Sequence, residues 1–265
     1  MRFELHPFLE LPFLFVTGQA RSGTTVLTRA VGSHPDVFSN MMESNYIGEL
    51  VWTVRRTVEM EVRNTQLAVS PETLKQQFAN ALFHVLFPLE LWDSSAPPKA
   101  VSTFSAMRVE NADFLLEFLP HLHVVNIVRN GLEVVASRMA HEHIGKREFR
   151  EHCVAWAAAM EMIDWGAKQD SFTLFRHEQF LDPQKTVETF DQLFAMFNLP
   201  ASSQPAEFVS QGIINSTRTE SDTDESAKDL RSRRDRWRTW TQSQRATFEE
   251  VCAAAMHSLG YEMPW

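Results

Sequence analysis

The feature that most constrains the fold is an apolar run, residues 13–17, that stops at a loop bracketed by Gly18 and Gly23. Residues 26–32 then follow a helical pattern. A strand, a glycine turn and a helix in this order form a cradle for an anion. The N–H groups of the turn point inward, and the helix adds its positive N-terminal end. The stretch therefore predicts a site of the phosphate-binding type.

The side chains inside this loop suit an anion. Ser22, Thr24 and Thr25 supply hydroxyl donors, and Arg21 supplies a full positive charge. The glycine spacing is that of a Walker A loop, but Thr24 stands where that loop has its lysine. Because an NTPase needs the lysine on its β- and γ-phosphates, ATP hydrolysis is disfavoured. The alternative is an ordinary glycine turn between a strand and a helix.

Strands and helices are predicted to alternate along the rest of the chain, which indicates crossover connections and a parallel sheet flanked by helices, a three-layer α/β fold. Ligands of such sheets bind at the carboxyl ends of the strands, where Gly18 and Arg129 both lie. The further strands are predicted at residues 37–38, 99–103, 124–128 and 172–175. The helices are predicted at residues 46–60, 71–87, 111–118, 132–139, 149–167, 187–197 and 248–259.

The composition fits a single folded domain over residues 1–265. Hydrophobic residues make up 44% and charged residues 22% of a chain long enough to bury a sizeable core. The net charge of −9 argues against a nucleic acid or an anionic membrane as partner. No feature of the sequence indicates an oligomeric state.

The cysteines and the apolar segments indicate a compartment. Cys153 and Cys252 are far apart without metal-ligand spacing, which predicts buried thiols in a reducing environment. The N-terminal residues do not form a signal peptide, and no apolar run reaches membrane-spanning length. A cytoplasmic protein is therefore expected. His141 and His143 are spaced i, i+2 and do not share a helix face, so no metal site is expected.

The loop resembles that of a known family. Residues 18–25, Gly-Gln-Ala-Arg-Ser-Gly-Thr-Thr, followed by Ser-His-Pro-Asp-Val at 33–37, resemble the 5′-phosphosulfate loop of sulfotransferases, whose donor is 3′-phosphoadenosine 5′-phosphosulfate (PAPS). The bacterial, carbohydrate and tyrosylprotein branches are more similar than the cytosolic branch, which usually has lysine at the position of Arg21. The resemblance implies a P-loop-like sulfotransferase fold, with adenosine 3′,5′-bisphosphate (PAP) as the product. The nucleotide-binding residues that it implies in this loop are Gly18, Arg21, Ser22, Gly23, Thr24 and Thr25.

A second anion site is predicted after the strand at residues 124–128. Arg129 follows this strand, and Ser137 lies about two turns into the next helix, so a guanidinium fork and a hydroxyl can bind one phosphate. Residues 124–138 also resemble the family's 3′-phosphate motif, with Asn130-Gly131 where the family often has Asp-Pro. The alternative for such an arginine is a surface ion pair. Two anion sites would distinguish PAPS from ATP.

A base and further cations are implied by the resemblance. A hydroxyl acceptor must lose its proton, and carbohydrate-type sulfotransferases use the Glu of a Lys-Glu pair that follows the segment like residues 34–37. This chain has Met42-Glu43 there, which implies Glu43 as the base without its lysine partner. The alternative is a first-turn glutamate favoured by the helix dipole. Glu49 is a weaker candidate.

Two cations are candidates for stabilising transition-state charge. Arg21 is expected to act on the leaving phosphate. Lys99 is a weaker candidate, because family members often have Lys-[Ser/Thr]-Pro where this chain has Lys99-Ala100-Val101. The alternative is a solvated lysine beside a proline loop.

Two later segments also resemble the family. Residues 230–237 resemble its C-terminal basic loop, which implies that Arg231 or Arg234 reaches the 3′-phosphate and that residues 217–236 form a mobile lid. The alternative is a solvated basic helix start paired with the acidic run before it. Residues 175–183 are expected to be structural, with Glu178 as a buried partner.

The sequence as a whole predicts a PAPS-dependent sulfotransferase that acts on the hydroxyl of a small molecule. The abundance of Phe and Trp favours an apolar or phenolic acceptor, and a glutamate base favours an alcohol or a sugar. One rival is a P-loop kinase of small molecules, against which the missing loop lysine speaks. The other rival is a non-catalytic nucleotide-binding protein that kept the pocket and lost the base.

Overall fold

The computed structural model of the protein describes residues 4–43, 46–64, 70–92, 96–211 and 235–265, with residues 41–43 and 61–64 described by their backbone alone. Within these ranges the strands are β1 (Phe13–Gly18), β2 (Val37–Glu43), β3 (Ala100–Phe104), β4 (Leu122–Val128) and β5 (Phe172–Arg176). They form one sheet in the order β2-β3-β1-β4-β5, and every neighbouring pair is parallel.

β1 is the central strand of the sheet. Its side chains are apolar on both faces, because a central strand is buried between two layers of helices. Phe13 and Val16 are at most 1% exposed. β1 pairs with β3 on one side, Phe13 opposite Val101, and with β4 on the other, Gly18 opposite Ile127. The chain leaves β1 toward β2 and later crosses back past β1 to β4. The strand order therefore switches at the carboxyl end of β1, where ligands of such sheets bind.

Helices of the described ranges cover both faces of the sheet, and those that precede β5 connect consecutive strands. They are α1 (Thr24–Gly32), α2 (Tyr46–Asn64), α3 (Pro71–Leu86), α4 (Val109–Leu116), α5 (Gly131–Met139), α6 (Phe149–Ala157), α7 (Ala159–Gly166), α8 (Pro183–Ala195), α9 (Gln204–Ser210) and α10 (Gln242–Ser258). Short 3₁₀ turns cover Leu89–Leu91, His177–Leu181 and Arg236–Thr239.

Side chains of β1 alternate between two apolar clusters, as the period of a strand requires. Phe13 and Phe15 pack with residues of α2, α3 and α4. Leu14 and Val16 pack on the opposite face with residues of α1 and α8. A third cluster joins the end of β4 to α5, α6 and α10. The three-layer α/β fold predicted from the alternation of elements is confirmed.

One predicted helix is divided in two. Residues 149–167 form α6 and α7, which meet at Ala158, where the N–H of Glu161 donates to the carbonyl of Ala158 in a tighter, three-residue turn at 3.3 Å. The tryptophans of the two helices contact different elements. Trp156 of α6 packs in the core with α5 and α10, whereas Trp165 of α7 donates through Nε1 to Asp113 Oδ1 of α4 at 2.6 Å.

Element boundaries follow local capping where the sequence carries it. Ser70 caps α3 as predicted, since its hydroxyl accepts from the N–H of Thr73 at 3.2 Å. α10 begins earlier than predicted, because Thr241 and Gln244 form a reciprocal capping box before the apolar residues start. β2 continues to Glu43, well beyond the predicted residues 37–38, and α9 was not predicted.

Both cysteines are buried free thiols, and Cys252 Sγ donates to the carbonyl of Cys153 at 3.6 Å. The neighbouring side chain of Cys153, and then burial, raise the pKa of Cys252. None of the helices in the described ranges is both long and apolar enough to cross a bilayer.

Candidate functional site

The loop after β1, residues 18–23, is held in its shape by the backbone; we call it the β1 loop. Gly18, Arg21 and Gly23 have φ angles of 149°, 79° and 104°, all in the left-handed region. A Cβ on Gly18 would lie 2.5 Å from the carbonyl oxygen of Ile127 on β4, and a Cβ on Gly23 would lie 2.7 Å from His177 Cδ2. Both positions therefore require glycine, for conformation and for space.

The β1 loop leads into a helix end that is available to an anion. The N–H of Ser22 donates to the carbonyl of Gln19 at 3.0 Å, which closes the turn, and Ser22 is buried. Thr24 and Thr25 form the start of α1 and are half-buried. α1 has neither a side-chain cap nor an acidic residue in its first turn. Its N-terminal N–H groups and positive dipole end are thus not neutralised by the helix itself.

Arg21 joins the β1 loop to the second predicted anion site. Its Nε donates to Ser137 Oγ on α5 at 3.1 Å, across 116 residues of sequence. Burial lowers the pKa of Arg21, and the nearby charge of Arg129 lowers it further. Arg21, Ser137 and Arg129, predicted from two separate motifs, therefore lie together. Two neighbouring cations of this kind repel each other, and an anion between them would relieve that repulsion.

The turn after β4, residues 129–131, is held by side chains; we call it the β4 turn. The carbonyl of Arg129 accepts from Trp156 Nε1 at 3.1 Å. Asn130 caps α5, since its Oδ1 accepts from the N–H of Leu132 at 2.9 Å. A Cβ on Gly131 would lie 2.8 Å from the ring of Trp156. This close approach explains why the chain has glycine at a position where the related motif often has proline.

Glu178 holds the β4 turn from the other side, which agrees with the structural role expected for its segment. One carboxylate oxygen accepts from the N–H of Asn130 at 2.9 Å, and the other accepts from the hydroxyl of Tyr261 at 3.0 Å. Burial, and then the charge of Glu178, raise the pKa of Tyr261. The hydroxyl therefore stays a donor, and the turn is tied to the end of the chain.

The guanidinium of Arg129 already has an acidic partner. Its Nε donates to Glu133 Oε2 at 2.8 Å, and its Nη2 donates to the same oxygen. Glu133 belongs to the first turn of α5. Arg129 thus lies near Arg21 and forms an ion pair that is largely withdrawn from solvent, and its binding of a phosphate stays a prediction.

Glu43 is placed by its backbone at the carboxyl edge of the sheet. It is the last residue of β2 and pairs with Phe104 of β3, which in turn pairs with Val16 of β1. At the usual strand spacing, its Cα lies about 10 Å from that of Val16. The alternative of a first-turn helix glutamate is wrong for Glu43, because the acidic residue in the first turn of α2 is Glu49.

Lys99 is not brought to this edge. It precedes β3, so it lies at the amino end of the sheet, where Nζ donates to Asp36 Oδ2 at 3.0 Å and the side chain is 59% exposed. From the register of β3 on β1, roughly 20 Å of strand separate its level from that of Gly18. The structure thus agrees with the alternative of a solvated lysine.

Arg231 and Arg234, and most of the predicted lid at residues 217–236, lie outside the described residues. The chain is described again from residue 235, and Trp237 there packs with the apolar cluster of α5, α6 and α10.

Two histidines near the site were missed as neighbours of the β1 loop. His177 contacts Gly23, and the signal available was its position directly after β5, at the carboxyl edge. Burial, and then the charges of Arg21 and His143, lower the pKa of His141, which places His141 close to Arg21. Among the described residues, no group of three or more His, Cys, Asp or Glu side chains is arranged to hold a metal ion.

A family model and several solved structures match this chain. The model of the sulfotransferase family matches residues 12–202. The sulfotransferase domain from the curacin biosynthetic pathway is 17% identical over 96% of this chain and 99% of that chain, with a TM-score of 0.57. The sulfotransferase domain from the Synechococcus PCC 7002 olefin synthase is 12% identical over 100% of both chains, with a TM-score of 0.55.

A mammalian structure shares this fold as well. Mouse sulfotransferase SULT7A1, solved as a complex with PAP, is 12% identical over 92% of this chain and 84% of that chain, with a TM-score of 0.53. A search of curated protein sequences gives no match. At these identities the solved structures inform the fold, and the function rests on the family and on the site.

Proposed function

Because the chain belongs to the sulfotransferase family, whose model matches residues 12–202, we propose that it transfers a sulfuryl group from PAPS to the hydroxyl of a small-molecule acceptor. The observation that carries the proposal is the contact of Arg21 Nε with Ser137 Oγ at 3.1 Å, beside Arg129. This contact joins the two motifs into one candidate nucleotide site, hereafter the pocket. PAPS is a nucleotide with anionic groups at both ends of its ribose.

The residues present fit such a nucleotide. The β1 loop has glycines where a Cβ would collide and a helix end without an acidic neighbour, which suits the 5′ end. Arg129 and Ser137 would hold the 3′-phosphate through charge-assisted hydrogen bonds. PAPS would supply a sulfuryl group already activated by its bond to the 5′-phosphate.

The chain's own residues would then divide the chemistry. The acceptor oxygen forms a bond to sulfur while the bond from sulfur to the 5′-phosphate oxygen breaks, and the acceptor proton passes to the carboxylate of Glu43. Arg21 and the N-terminal end of α1 stabilise the negative charge that develops on the leaving phosphate. The position of Glu43 at the carboxyl edge of the sheet supports this role, and Lys99 has none in it.

The donor is tested by calorimetry on one preparation. PAP and ATP with magnesium are titrated separately, and PAP is expected to bind at least tenfold more tightly. Tighter binding of ATP with magnesium would favour the kinase instead. The acceptor is tested with labelled PAPS against a panel of alcohols, sugars and phenols. Binding of PAP without turnover of any hydroxyl would favour the non-catalytic alternative.

We assign the reaction to the cytoplasm. Cys153 and Cys252 are buried free thiols, and Cys252 Sγ donates to the carbonyl of Cys153. A reducing compartment keeps neighbouring thiols in this state.

A further inference from the structure

Donors of the Arg129 side chain are already engaged in an ion pair with Glu133. Two of its nitrogen atoms, Nε and Nη2, donate to one oxygen of Glu133. The two side chains are only 17% and 24% exposed, so the pair is largely withdrawn from solvent. In this environment the ion pair is stronger than one on the surface, because water screens it less.

Glu133 also lies at the second feature that a phosphate would use, the N-terminal end of α5. It belongs to the first turn of α5, whose N-terminus carries the positive end of the helix dipole. A phosphate bound by Arg129 at the start of α5 would use the same guanidinium and the same helix end. A phosphate and a carboxylate cannot both occupy these donors without like-charge repulsion.

The β1 loop has no counterpart of this carboxylate. The first turn of α1 contains no acidic residue, whereas the first turn of α5 contains Glu133. The two halves of the pocket are therefore asymmetric in charge. The helix end in the 5′ half has no acidic residue in its first turn, and the helix end in the 3′ half has Glu133, which pairs with Arg129.

From this asymmetry we propose that Glu133 is an internal counter-ion that competes with the 3′-phosphate of the nucleotide for Arg129. The inference rests on the proposed function and extends it to a regulator of nucleotide retention. Because the 3′-phosphate must displace Glu133 from Arg129, the affinity for PAPS and for PAP is lower than it would be without Glu133. The lower affinity makes the release of PAP faster, and slow product release limits the turnover of many enzymes.

The test is a set of calorimetric titrations with two nucleotides. PAP carries the 3′-phosphate, and adenosine 5′-phosphosulfate lacks it. Glu133→Gln keeps the shape of the side chain and removes its charge. We expect this variant to bind PAP about fivefold more tightly, the effect of losing one competing ion pair, and to bind adenosine 5′-phosphosulfate unchanged. The dissociation rate of PAP, followed by stopped flow, should fall by a similar factor.

Two further variants make the test specific. Glu250→Gln removes a glutamate from another Arg–Glu pair, with Arg150, that is exposed on α10, and it should leave both affinities unchanged. In an Arg129→Ala background, Glu133→Gln should no longer tighten PAP binding, because the group for which carboxylate and phosphate compete is gone. Equal melting temperatures would show that the variants are folded.

The outcomes separate this inference from the function on which it rests. Wild-type protein that binds PAP no better than adenosine 5′-phosphosulfate overturns both. Wild-type protein that prefers PAP, together with a Glu133→Gln variant that binds PAP equally or more weakly, overturns the counter-ion alone and makes Glu133 a residue that positions Arg129. An equal gain in affinity for PAP and for adenosine 5′-phosphosulfate also contradicts the counter-ion role of Glu133, since the gain would then come from the change in net charge.

Discussion

The β1 loop and the β4 turn bring their charged side chains to the same pocket by different means. The β1 loop depends on backbone conformation, with three positive φ angles and two glycines pressed against neighbouring elements. The β4 turn depends on a hydrogen bond donated by Trp156, on one accepted by Glu178, and on the cap of α5 by Asn130. The first is therefore sensitive to any added atom, and the second to the loss of a partner or a change of charge.

The strands that lead into the two turns differ in the same way. β1 consists of apolar residues, a threonine and a glycine, and none of its side chains titrates. β4 contains His123, which is buried and whose Nε2 lies 2.8 Å from Thr173 Oγ1 of β5. The β1 loop is thus expected to keep its shape over a wide pH range, whereas β4 carries a group that responds to acid.

The largest expected effect belongs to neither turn. Glu43→Gln removes a carboxylate from the end of β2 and leaves the nucleotide contacts unaltered. The turnover number should fall about 10²–10⁴-fold, the usual size of general-base catalysis, while calorimetry gives an unchanged PAP affinity. Glu49→Gln, on the first turn of α2, is the matched control and should retain activity. A nearly normal rate for Glu43→Gln would assign the base elsewhere.

The backbone-held loop is tested by Gly18→Ala. The new methyl group would lie 2.5 Å from the carbonyl oxygen of Ile127 at a φ of 149°, so both collision and strain oppose it. The free energy of unfolding should fall by about 2–5 kcal/mol, and PAP affinity should fall with it. Urea denaturation and calorimetry measure the two.

A glycine elsewhere provides the comparison for that substitution. Gly48→Ala in α2 would place its methyl group 3.8 Å from the nearest atom, the carbonyl oxygen of Ala106. This variant should be more stable than wild type by about 0.5–1 kcal/mol, because a helix favours alanine over glycine. Similar losses for Gly18→Ala and Gly48→Ala would remove the argument that the β1 loop needs its glycines.

Acid should lower the stability of the fold through His123, which lies near the amino end of β4. Burial lowers the pKa of His123 to about 4 in the folded protein, from 6.5 when exposed. Below pH 6.5 the unfolded chain therefore binds a proton that the folded chain does not. The free energy of unfolding should decrease by up to about 3 kcal/mol between pH 6.5 and 4 and show no contribution from His123 above pH 7.

The difference between wild type and His123→Gln isolates this contribution. The variant lacks the ionisable ring, so its stability should depend less steeply on pH between 6.5 and 4. His6 and His152 are also buried, and burial lowers the pKa of each, so the wild-type slope alone would combine several histidines. Parallel pH profiles for wild type and variant would show that His123 does not titrate in this range.

What the sequence predicts well is local. The loop from Gly18 to Gly23, the β-branched strand before Arg129 and the Ser70 cap each depend on residues a few positions apart, and each was located from them. The parallel sheet followed from the order of the elements. The break at Ala158 was not predicted, because it serves two tryptophans that pack against different elements.

Contacts between distant segments required the folded chain. Arg21 and Ser137 are 116 residues apart, and no periodicity relates them. The ion pair of Arg129 with Glu133 had a signal in its i, i+4 spacing, but the helix begins after Arg129, so the spacing rule for helices did not apply directly. Lys99 was drawn toward the site by resemblance alone, although a residue that precedes a parallel strand lies at the opposite edge.

The substitution that separates the two turns most directly is at Arg129. Arg129→Ala removes charge-assisted hydrogen bonds to a 3′-phosphate. The backbone of the β4 turn should keep its position, because the carbonyl of residue 129 still accepts from Trp156 Nε1. PAP affinity should fall about 10–100-fold, and the affinity for adenosine 5′-phosphosulfate should change less than about twofold. Arg150→Ala, which breaks an exposed pair with Glu250, should change neither. Equal losses for both nucleotides would mean that the β4 turn and the β1 loop bind as one unit, because Arg129 would then act by holding Arg21 and Ser137 in place.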